Sequence, residues 1–196
     1  MSRSRPIRTA AFLVNRTRSA ARAVAALALL VFGLLAPSVI QASDNPSGLP
    51  LPRFATVRST PVNVRVGPGT RYDIAWVYVK PGVPVEIVQE FDTWRKIRDV
   101  DGSEGWVHQN LLSGKRAGLA APWLSEEQIP LRSGRSNEGG VRAFLGPGFR
   151  VDIARCDGAW CEVTATTRSD AGSASSYSGY VQQGELWGVY QGETFD

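Results

Sequence analysis

The chain has 196 residues, enough for one large domain or two small ones, and carries 22 Lys and Arg against 18 Asp and Glu, with a pI of about 9.4. The basic balance is not a sign of a nucleic-acid partner, because Arg3, Arg5, Arg8, Arg16, Arg18 and Arg22 crowd the first 22 positions, which hold no acid. From Ser43 onward 16 basic residues face 18 acidic ones. One His, two Cys and the lack of any long apolar run argue against most metal enzymes and against polytopic membrane proteins.

In chain order, the Arg-rich opening leads into Ala23 to Ala36, which is Ala, Leu, Val and Phe with one Gly, and Pro37 breaks any helix there. This run falls short of the roughly 18 to 20 apolar residues that a spanning helix needs. Residues 1–42 therefore read as a cleavable signal peptide, with processing expected after Ala42 and an uncleaved N-terminal anchor as the alternative. The expected location is periplasmic or secreted, with no integral span after Ala42. Residues 43–53, rich in Pro, Gly, Ser and Asn, read as a tether.

Short alternating runs then predict an all-β body. Val62, Val64 and Val66 face one way, Asn63 and Arg65 the other, and Gly67-Pro68-Gly69 ends the run. Ala75 to Val79 and Val83 to Val88 follow, parted by Pro81-Gly82. The chain also repeats itself. Val79 to Ile87 recurs as Leu145 to Ile153, and Trp94 to Ile97 recurs as Trp160 to Val163, both at an offset of 66. Gly105 to Gln109 recurs as Gly179 to Gln183 at an offset of 74, and the extra eight residues fall in the Ser-rich stretch Thr166 to Ser178, read as a mobile surface loop. This organisation predicts one small β domain over 54–114, a linker over 115–124, a second domain over 125–190 and a tail over 191–196.

Cys156 and Cys161 bracket Asp157-Gly158-Ala159-Trp160, and Asp-Gly between strand-like runs signals a hairpin. An exported chain meets oxidising conditions, so the pair is expected to form a structural disulfide worth about 2 kcal/mol.

Asn63-Val64-Arg65-Val66-Gly67-Pro68-Gly69, the Pro-Gly turn, Trp94-Arg95-Lys96-Ile97 and Gly105-Trp106-Val107 together resemble the bacterial SH3 domain family. The likeness covers roughly Phe54 to Gly114. Ser125 to Tyr190 looks like a degenerate second copy, without the opening Asn and the Gly-Pro-Gly. The resemblance implies two tandem, small, partly open SH3-like barrels acting as an exported binding module. Its implied partner is peptidoglycan or its peptide stems, with a protein–protein adaptor of the envelope as the alternative. The residues themselves, with no catalytic set, one His, two Cys and an acidic balance after Ser43, lead us to expect no enzyme activity, no cofactor, no metal and no nucleic acid, and they leave the oligomeric state open.

Strand parity nominates binding residues. Trp94 and Ile97 are three apart, so a strand burying Ile97 turns Trp94 to the opposite surface, and Trp160 and Val163 repeat the relation. Tyr72, Trp76 and Tyr78, near the loop after Gly69, are candidates for the other groove wall. For each aromatic ring, core or rim packing is the competing reading. Arg65 and Arg132 are expected to make a loop hydrogen bond or salt bridge, and His108, with no nucleophile or acid near it in sequence, is expected to be structural or solvated.

Overall fold

Alternation at Val62 and Val64 becomes the inner face of a strand, and the same logic builds fifteen strands with no α-helix among the described residues. The structure is a computed structural model and describes residues 45–168 and 172–196. The signal-peptide reading and its cleavage point fall outside them. Contacts divide the chain into Met1–Ala42 and Ser43–Asp196, and the fold below belongs to the second unit. No helix among the described residues is long and apolar enough to cross a membrane.

The fold is all-β and SH3-like. The first sheet uses β1 (Arg53–Val57), β2 (Val62–Arg65), β3 (Ile74–Tyr78), β4 (Pro84–Phe91), β5 (Trp94–Arg98), β6 (Glu104–His108) and β7 (Leu112–Ser113). Its strand order is β3-β2-β6-β5-β4-β1-β7. The second uses β8 (Ala117–Ala120), β9 (Ile129–Arg132), β10 (Val141–Leu145), β11 (Arg150–Asp157), β12 (Trp160–Arg168), β13 (Ala174–Gln182) and β14 (Leu186–Trp187). Its order, β10-β9-β13-β12-β11-β8-β14, matches the first strand for strand, with β15 (Thr194–Phe195) added to β11.

The repetition extends to irregularities. A register shift between Ile87 and Gln89 on β4 recurs between Ile153 and Arg155 on β11, 66 residues on. A 3-10 turn over Gln109–Leu111 recurs over Gln183–Glu185. Gly105 of β6 has a steric reason to be glycine, because a Cβ there would lie 2.5 Å from a Val64 methyl. Its counterpart Gly179 faces the Arg132 carbonyl in the same way.

Each sheet wraps its own core. Val57, Val62, Val64, Val85, Ile97 and Val107 fill the first, and Leu131, Val151, Cys161, Val163 and Val181 fill the second. Burying each such side chain contributes about 1.5–3 kcal/mol before ordering costs. The sheets also interlock. The Phe54 ring lies 5.2 Å from Trp187, edge-on, and 4.8 Å from Tyr190. The Tyr190 hydroxyl donates to Glu86 at 2.8 Å, and Arg150 Nε donates to the Gly82 carbonyl at 2.7 Å.

Three segments differ from their sequence reading. The expected linker 115–124 contains β8, which pairs with β11 and β14 and opens the second sheet. Ala-Gly-Leu-Ala is too short and too small-sided to show alternation. The expected tail 191–196 contains β15, paired to the Cys156 end of β11. Thr166 to Ser178 is mostly a hairpin extension of β12 and β13 rather than a loop, with Thr166 opposite Ser176 and Arg168 opposite Ala174. Hydroxyls join across it, Thr164 to Ser178 at 3.0 Å and Thr166 to Ser176 at 2.9 Å.

Candidate functional site

Trp94 begins β5, and burial alternates along that strand. Arg95 and Ile97 point inward, and Trp94 and Lys96 sit half-buried on the other face. Trp94 pairs across the ladder with His108 at the end of β6, and the rings meet edge to face at 5.6 Å. His108 Nδ1 also accepts the Asn110 N–H at 3.3 Å, capping the 3-10 turn. Beside these rings is a groove of about 200 Å³. Asn63 and Arg65 of β2 line it, with Pro61 before that strand, Thr70 of the following loop, and Leu111. Arg65 Nη1 donates to the Tyr72 carbonyl at 2.6 Å, which ties the loop to the groove edge.

Tyr72, Trp76 and Tyr78 do not wall this groove. The Tyr72 ring covers Gly67, where a Cβ would stand 2.6 Å from it. Trp76 and Tyr78 of β3 stand opposite buried Val64 and Val62 of β2 in unbroken register, so both turn inward with them. Tyr78 is buried and donates its hydroxyl to Asp99 at 2.6 Å, while Trp76 packs on the first core with its ring 6.3 Å from Tyr78. Burial, with the Asp99 carboxylate beside it, raises the Tyr78 pKa above the ordinary phenol value. The groove uses smaller and more polar side chains in their place.

The second sheet arranges the same positions differently. Trp160 is half-buried and pairs with Gln182, the counterpart of His108. Gln182 Nε2, however, donates to Asn137 of the β9–β10 loop at 2.5 Å, and Arg135 of that loop reaches Asp157 at 3.3 Å. Arg132 Nη1 donates to the Gly139 carbonyl at 3.0 Å, as Arg65 does to Tyr72, so both arginines make the loop hydrogen bond. The Trp160 cavity, about 170 Å³, is lined mainly by charged groups including Arg155, Glu162 and Asp196. Cys156 and Cys161 are joined in a disulfide at the base of their hairpin.

The family model for the bacterial SH3 domain matches residues 58–114, which hold the Trp94 groove entire. Residues 58–114 are a bacterial SH3 domain. No curated protein matches the chain. Among solved structures, the chain is similar to NlpC2 from Trichomonas vaginalis at 10% identity and a TM-score of 0.28, covering 69% of this chain and 48% of that one. It is similar to NlpC1 from the same organism at 12% identity and a TM-score of 0.28, covering 78% and 50%. The chain thus spans about half the length of either, and likeness at that level carries no functional inference.

Within the bacterial SH3 domain, sequence reasoning found Trp94 but missed Pro61, Asn63, Thr70 and Leu111 as its neighbours. Pairing the Trp94 and Gly105-Trp106-Val107-His108 runs as a hairpin would have put His108 opposite Trp94. Among the described residues, no three His, Cys, Asp or Glu side chains converge as a metal site.

Proposed function

We propose that this protein is an exported, non-enzymatic binding module of the cell envelope, whose bacterial SH3 domain holds a peptidoglycan peptide stem in the Trp94 groove. The groove itself is the observation that carries this reading. Two edge-packed rings flank a polar rim of Asn63, Arg65 and Thr70, which suits a short extended peptide lying against a flat amphipathic ring. The loop that borders it is held in place by Arg65 before any ligand arrives, so little ordering cost falls on binding.

Sedimentation with purified sacculi tests the proposal. Wild-type protein is expected to pellet with the sacculi, Trp94→Ala to stay in solution with an unchanged thermal melt, and Trp160→Ala to pellet as wild type does. No sedimentation of the wild type, or equal loss in both variants, overturns it. Release of soluble fragments from labelled sacculi would overturn its non-enzymatic part. An adaptor role is the second reading, favoured by edge strand β3, which exposes Ile74 and Val77 and is followed by exposed Val79. Under that reading, envelope extracts yield a stoichiometric protein partner free of murein.

A further inference from the structure

The Ser43–Asp196 unit has 16 Lys and Arg side chains against 18 carboxylates. Ion pairs engage eight of the cations: Arg53, Arg95, Lys96, Arg98, Arg116, Arg135, Arg150 and Arg155. Arg65, Arg71, Arg132 and Arg142 instead donate side-chain hydrogen bonds. Four cations remain with neither kind of partner among the described residues: Arg58, Lys80, Lys115 and Arg168. All four line one cleft of about 1000 Å³, where Arg150 joins them and Asp152 is the sole carboxylate among the described residues. Arg58 and Lys80 come from the first sheet's loops, Lys115 from between β7 and β8, and Arg168 from the end of β12. Nothing in the sequence places these four together. The interlock of the two sheets does.

Five cations and one carboxylate among the described lining residues, on a unit with more acids than bases, are charge segregation rather than an averaged surface. The cleft shares no lining residue with the Trp94 groove. Among the described residues no aromatic ring lines it, so they offer no platform for stacking a base or the face of a sugar. What it presents is positive charge with the Ser113 and Thr166 side chains among it. Its volume lies at the upper end of ligand sites, about 300–1000 Å³, more room than a single small anion fills. We propose that this cleft is a second binding site, for a flexible chain carrying several phosphate or carboxylate groups.

Calorimetry at low ionic strength tests the site, using short linear polyphosphate and oligo-glutamate as probes. The protein is the Ser43–Asp196 unit, which holds both cores and none of the six leader arginines. At least one probe is expected to bind, and the probe preferred distinguishes phosphate from carboxylate as the recognised group. The double variant Arg58→Gln/Lys115→Gln is expected to weaken binding roughly fivefold for each cation removed, about 25-fold in all. Lys80→Glu is expected to do at least as much, and raised salt should weaken the wild type. Arg98→Gln/Arg155→Gln, removing the same charge from outside the cleft, should change affinity by less than about twofold. Trp94→Ala should leave it unchanged. Binding of neither probe overturns the site, as does equal weakening by the cleft and control variants or loss of polyanion binding in Trp94→Ala.

Discussion

Glu90 and Arg95 stand opposite one another across β4 and β5, and 66 residues later Cys156 and Cys161 stand opposite one another across β11 and β12. Both pairs face inward at the base of a tight hairpin. The first is ionic. Arg95 Nε lies 3.1 Å from Glu90 Oε1, Arg53 reaches the same oxygen at 2.5 Å, and the Ser47 N–H donates to Oε2 at 2.9 Å. Arg95 also donates to the Asp92 carbonyl and to Gln109, holding the turn from within. The second pair is covalent and needs none of these partners. A single architectural position thus accepts either a buried charge network or a disulfide, but the network recruits Arg53 from β1 and Ser47 from the segment before it.

The largest expected effect separates the two solutions. Glu90→Gln leaves Arg95 and half-buried Arg53 without their counter-charge, and unfolding in denaturant should show a loss of about 3–5 kcal/mol. A loss below about 1 kcal/mol would end the comparison, since the pair would then stabilise no more than a surface contact does. Next comes Cys156→Ala/Cys161→Ala, or reduction of the wild type, with an expected cost of about 2 kcal/mol.

Acid should divide the two hairpins again. Burial pushes the Glu90 carboxyl up, but hydrogen bonds from Arg53 and Ser47 outweigh it and hold the group below the ordinary carboxylate range. Its contribution is therefore fully present above that range and is lost as pH falls through the lowered value. Amide exchange is expected to rise on acidification in Phe91–Trp94, where a reducing agent should have no effect, whereas reduction at neutral pH should raise exchange in Asp157–Trp160. The smallest effect concerns the turns. Asp92 adopts φ +49°, where its counterpart Gly158 adopts +95°. Asp92→Gly should raise stability by about 0.5 kcal/mol in thermal melts, because glycine enters the left-handed region without a Cβ penalty.

Much of this comparison was legible before any coordinates. The alternation at Val62 and Val64 gave strand and parity together, the two offsets gave the duplication, and Asp157-Gly158 between two Cys gave the stapled hairpin. All are local spacings. The ionic network was not legible, because Ser47 lies 43 residues and Arg53 37 residues from Glu90, yet setting Glu90 and Arg95 against the Cys pair at the offset of 66 would have flagged the position. The groove walls failed for a different reason. Tyr72, Trp76 and Tyr78 were chosen because they are aromatic, and the pairing of Trp76 and Tyr78 with inward-facing Val64 and Val62 puts two of them on the core side. The Ser-rich hairpin misled because clustered Ser reads as turn chemistry, whereas facing Thr and Ser hydroxyls stabilise each other once two strands pair.

Phe54, held between Trp187 and Tyr190, has a mechanical consequence for the cleft that both sheets line. The two sheets are tied at that ring and again where Arg150 meets the Gly82 carbonyl, so opening the facing walls costs both contacts. The mutual repulsion of the cations is then borne by the resting fold instead of being relaxed by opening. An incoming anion relieves a strain that already exists and meets a charge pattern whose spacing it did not have to create.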